Sequence, residues 1–219
     1  MTIFRKWIAV GTAAILSGCG ASGTRDESGL SNAFTPNYLS DLGGDVARWS
    51  NRSVTVSATA GVEDISEADL QALVGEAASR WNSTDSGVSV SVVSGGRGDV
   101  NLTFAPPDDP DLAGRVIGVT TRSYQSGSPV DRMLSADIKI ESGQSEESRR
   151  TVVAHELGHA LGIGGHSAAA ADLMYAAPAI PGVPTEDDAN TLKTIYSSRA
   201  APAGRAAGSV VTDTISCER

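Results

Sequence analysis

Between residues 53 and 198 the apolar positions alternate between a two-residue period and a three-to-four-residue period, which predicts interleaved strands and helices. Val54 and Val56 alternate with polar neighbours and predict a strand over 53–60. Ser66 then reads as a helix N-cap, with Asp69 three residues on and Ile65 placed to staple onto Leu70. Leu70, Leu73, Val74, Ala77 and Trp81 form a stripe at helical spacing, so Trp81 is expected in the core. Further strands are predicted at Val88–Val92, at Val100–Phe104 before Pro106 and Pro107, at Val116–Thr121, and at Met133–Glu141. Ser145 caps a second long helix, whose first-turn Glu146 and Glu147 suit the positive end of its dipole. Val152, Val153, Leu157 and Leu161 supply its buried side, and Gly162 ends it in a left-handed turn. A last helix runs from Thr185, its cap, to about Ser197, with Leu192, Ile195 and Tyr196 on its apolar face. This order predicts an α+β fold, a twisted mixed sheet with helices packed on it.

The flanks read differently. Arg5 and Lys6 precede an apolar run from Trp7 to Leu16 that is too short to cross a bilayer, so residues 1–18 read as a signal peptide. Leu16-Ser17-Gly18-Cys19 resembles the lipobox of bacterial lipoproteins. The resemblance implies cleavage before Cys19, lipidation of Cys19, and an exported protein anchored to the cell envelope; an ordinary secretory signal is the alternative. Residues 19–45, rich in Ser, Gly, Thr and Asn, read as a flexible tether, 46–198 as the folded domain, and 199–219 as a disordered tail. In that tail Cys217 is a lone thiol with no assigned role. A net charge of −9 over 219 residues, without basic clusters, argues against nucleic acid as a partner.

All three histidines of the chain fall in one short stretch, His155-Glu156-Leu157-Gly158-His159-Ala160-Leu161-Gly162-Ile163-Gly164-Gly165-His166. Two histidines four apart share a helix face and can converge on one metal, and the intervening Glu156 can reach a water there. Gly162 halts the helix three residues after His159, where the chain must turn to bring up a third ligand. Met174 follows in Asp172-Leu173-Met174-Tyr175.

This set resembles the metzincin clan of zinc endopeptidases, and within it the matrixin-like group, whose pattern is His-Glu-x-x-His-x-x-Gly-x-x-His followed by a methionine turn. The resemblance spans Val54 to Tyr196 and includes Ala136-Asp137-Ile138-Lys139-Ile140, which looks like the edge strand beside the cleft. The chain departs from the pattern once: position 165 is glycine, and the histidine comes one residue late. The eight residues from His166 to Met174 match the family spacing, as does the pair His166-Ser167. His166 is therefore taken as the third ligand across an inserted residue, with Asp172 as the fallback.

The resemblance implies Zn²⁺ held by His155, His159 and His166, Glu156 as general base toward a metal-activated water, and Met174 packed beneath the site without ligating. It implies that extended peptides align along Ala136, Asp137 and Ile138, and that residues 176–184 wall the pocket beyond the cut. Asp108, Asp109 and Asp111 are candidate Ca²⁺ ligands, although their spacing matches no complete calcium loop. The expected function is a monomeric, membrane-anchored zinc endopeptidase acting on proteins or peptides. A catalytically idle lipoprotein that keeps the metzincin shape for binding is the alternative, and Glu156 argues against it.

Overall fold

The computed structural model describes residues 46–62, 65–127, 130–197 and 208–219. The expected signal peptide, Cys19 and the tether lie outside the described residues. The predicted alternations form strands β2 (Ser53–Thr59), β3 (Ser89–Val92), β4 (Val100–Ala105), β5 (Val116–Gln125) and β6 (Val130–Glu141), and a short strand not predicted, β1 (Val46–Arg48), precedes them. With β7 (Val210–Glu218) they make one mixed sheet in the order β3-β2-β4-β6-β5-β7. Strands β3, β2, β4 and β6 pair in parallel, while β5 runs antiparallel to both β6 and β7. Strand β1 pairs in parallel with the first residues of β6.

Helix α1 (Glu67–Asn82) starts at Ser66, whose side chain accepts the N–H of Asp69, and buries Leu70, Leu73, Val74, Ala77 and Trp81. Helix α2 (Glu146–Ala160) starts at Ser145 in the same way. It packs on α1 on one side and on β5 and β6 on another, which is why its stretch from Thr151 to Ala160 is buried all round. Helix α3 (Glu186–Ser197) crosses near the far end of α2, and the Tyr196 hydroxyl donates to the Leu161 carbonyl at 2.8 Å. The Trp49 indole donates to the Ala160 carbonyl at 2.9 Å. Both acceptors belong to the end of α2, where carbonyls lack intrahelical donors. Gly162 then turns the chain with φ +125°, as its position after the helix requires.

Two expectations need correction. Ala136, Asp137 and Ile138 do not lie on an edge strand: in β6 they pair with Val100, Asn101 and Leu102 of β4 on one side and with Arg122, Thr121 and Thr120 of β5 on the other. Side-chain alternation reports which face of a strand is buried and says nothing about its lateral neighbours. The second concerns the tail. Residues 210–218 form β7, hydrogen-bonded along β5 from Val116↔Glu218 to Gln125↔Val210. Strand pairing uses backbone groups, so a segment short of large apolar side chains is ordered by a neighbouring edge.

Candidate metal centre

Helix α2 carries His155 and His159 on one buried face, one turn apart. The His155 Nδ1 faces the Leu173 carbonyl at 2.7 Å, and the His159 Nδ1 faces the Ile163 carbonyl at 2.8 Å. A carbonyl only accepts, so each Nδ1 carries the proton and each Nε2 presents a lone pair. The two Nε2 atoms stand 3.1 Å apart, and the His166 Nε2 lies 3.3 Å from that of His159. The turn through Gly164 and Gly165 therefore absorbs the additional residue and still brings His166 to the cluster.

Burial, with His166 nearby, pushes the pKa of His155 down to about 3, against the pull of the Leu173 carbonyl. Burial and the neighbouring imidazoles hold His159 well below the usual histidine range. Neutral imidazoles aiming lone pairs at one another repel unless a cation lies between them. Zinc–nitrogen bonds of about 2.0–2.1 Å at tetrahedral angles separate their nitrogens by about 3.3 Å. The spacing, tautomers and charge of this cluster thus fit Zn²⁺, and the three ring nitrogens are within 4.8 Å of one another.

Glu156 is fully buried beside them. Its Oε2 accepts the Thr120 hydroxyl of β5 at 2.6 Å, while Oε1 has no hydrogen-bond partner. Burial raises its pKa to about 7, opposed by Thr120 and by Cys217. Room for the carboxylate comes from Gly118 of β5, where an added Cβ would stand 2.6 Å from Oε1.

Met174 is buried beneath the site, its sulfur against Gly158. The turn that holds it is fixed by Asp188, whose carboxylate accepts the N–H groups of Leu173 (2.8 Å), Met174 (3.2 Å) and Thr185 (2.8 Å). Asp172 is not in the cluster: it accepts the hydroxyls of Ser167 and Thr185, which leaves the third position to His166. Asp109 and Asp111 both receive the Lys139 ammonium, at 3.0 and 2.5 Å, so a fixed side-chain cation already answers their charge.

Sequence reasoning missed three participants: Thr120, Asp188 and Cys217. The Cys217 sulfur lies within 4.8 Å of a Glu156 carboxylate oxygen and a His155 ring nitrogen, so β7 lies over the site. Thr120 and Asp188 carry no motif. Cys217 has one signal, an isolated cysteine in an alternating stretch, but nothing in the sequence links it to position 156.

The family model described as Matrixin matches residues 48–197, more than half of the 219-residue chain. A search of the curated proteins finds no match. A match of that extent, over a domain with this sheet and three helices, shows that the chain belongs to the matrixin family of zinc metalloendopeptidases, within the metzincin clan.

Proposed function

We propose that this chain is a catalytically competent zinc endopeptidase that cuts extended protein substrates. The observation that carries the reading is the convergence of three Nε2 atoms beside a buried carboxylate with one oxygen unpartnered. His155, His159 and His166 would hold the metal, which when bound supplies Lewis-acid activation of water and of the scissile carbonyl. Glu156, its Oε2 fixed by Thr120, keeps Oε1 available to take a proton and return it to the leaving amine. Extended peptides would align along β5, the strand whose Gly118 and Thr120 border Glu156, rather than along β6.

Arg5 and Lys6, the apolar run after them and the sequence Leu16-Ser17-Gly18-Cys19 support export and anchoring to the envelope by lipid on Cys19. Cys19→Ala then shifts the protein from the membrane fraction to the soluble fraction. The chemistry is tested by comparing Glu156→Gln with the wild type on an unstructured protein, each with and without Cys217→Ser because β7 covers the site. Cleavage should vanish with Glu156→Gln while zinc content stays at one per chain. Equal inertness of all four forms would favour a binding module instead.

A further inference from the structure

The geometry points to the C-terminal strand as a substrate-like plug: β7 lies along the peptide-aligning edge of β5, buries the Cys217 thiol against Glu156 and beside His155, and keeps the chain latent. This rests on the zinc-peptidase reading above and deepens it by naming how the site is controlled.

Position comes first. Strand β5 is the natural edge beside Glu156, and β7 occupies that edge antiparallel along nearly its whole length. An incoming extended peptide needs the same backbone donors and acceptors. Cys217 pairs with Gly118, the residue whose missing side chain makes room for Glu156. Past Cys217 the strand enters the far side of the cleft, where the Glu218 N–H donates to the Ala176 carbonyl at 2.9 Å and the Arg219 N–H to the Arg115 carbonyl at 3.0 Å. It is thus held between β5 and the segment that follows Met174, as a threaded substrate would be.

The strand also has the character of an addition rather than of a core element. The matrixin match ends at residue 197, before β7 begins. Along Val210–Glu218 the side chain of Cys217 alone is buried. That thiol adjoins Glu156, which is fully buried with Oε1 unpartnered, and a ring nitrogen of His155. The sulfur thus fills the space beside the carboxylate and one imidazole, ground that a substrate carbonyl and its attacking water need. Farther along, Asp213 pairs with the fully buried Arg122 guanidinium of β5, in a two-pronged contact whose Nε arm measures 2.9 Å. This ion pair is the strand's principal side-chain anchor, and removing its acid leaves a buried cation without a counter-charge.

The test uses the full chain loaded with Co²⁺ in place of zinc, as wild type, Cys217→Ser and Asp213→Arg. All three chains should show the visible bands of bound cobalt, and the wild type should exchange the amides of Val210–Glu218 slowly. Cys217→Ser, which takes the buried sulfur from beside Glu156, should exchange them faster. Asp213→Arg, which sets two guanidinium groups against each other, should expose them to rapid hydrogen exchange. Both variants, as zinc forms, should turn over a mixed-sequence fluorogenic peptide about tenfold faster than the wild type or more. Rapid exchange of the Val210–Glu218 amides in the wild type, or equal turnover in all three chains, overturns the plug and leaves the zinc site standing. Absence of cobalt bands from every chain overturns the zinc reading and the plug with it.

Discussion

A methyl group on the α-carbon of Gly158 would stand 2.5 Å from the sulfur of Met174 and 2.6 Å from the Trp81 ring. The glycine inside the metal helix is thus a packing necessity: it lets the methionine turn rise close enough for the Leu173 carbonyl to reach His155. Gly158→Ala gains about 1 kcal/mol in helix propensity and loses about 1–3 kcal/mol to overpacking. We expect net destabilisation with weakened zinc binding, read by thermal melting and by a zinc titration of the same variant. A more stable protein with unaltered zinc affinity would refute the role given to Gly158.

Trp81 supports the same helix from below. Its indole N–H donates to the Ala154 carbonyl at 2.7 Å, and the ring is buried against α2. Trp81→Ala should destabilise the fold by about 3–5 kcal/mol in urea unfolding. Trp81→Phe, which keeps most of the volume and loses the donor, should cost about 1–2 kcal/mol.

Asp188 gathers three backbone N–H groups from the methionine turn and the start of α3. In Asp188→Asn one acceptor oxygen becomes a donor facing those groups, at a cost of about 1–3 kcal/mol. Because Leu173 sits in this turn, the variant should also bind zinc more weakly, whereas a surface change such as Glu147→Gln should not alter either quantity.

Thr120 acts through Glu156. Thr120→Val removes the 2.6 Å hydrogen bond while keeping shape. We expect kcat to fall about tenfold with KM little changed, and Thr120→Ser to restore most of it. A rise in KM alongside the fall in kcat would point to a general distortion of β5 instead.

Much of this architecture is legible in the chain. The Ser66 cap and the stripe from Leu70 to Trp81 describe α1 nearly to the residue, because one amphipathic face and one capping side chain are local properties. The three histidines are legible for the same reason, since helix periodicity alone brings His155 and His159 together. Lateral order in the sheet is not local. Ala136 to Ile140 resembles the family's edge strand but sits in the interior, because its neighbours come from residues 100–104 and 118–122. The tail misleads for a related reason: its order comes from the free edge of β5, the Arg122–Asp213 pair and the burial of Cys217, none of which hydropathy records. Asp188 and Asp172 are likewise acids of ordinary sequence context whose partners are backbone amides and hydroxyls brought up by the turn.

The metal centre depends on the late histidine, and the zinc content of the purified chain against its His166→Ala variant tests this most directly. The wild type should retain one zinc per chain through dialysis, and His166→Ala should lose it, with affinity lowered by more than the roughly 10–100-fold that loss of an outer partner costs. Equal zinc retention by the two proteins would contradict the three-histidine centre.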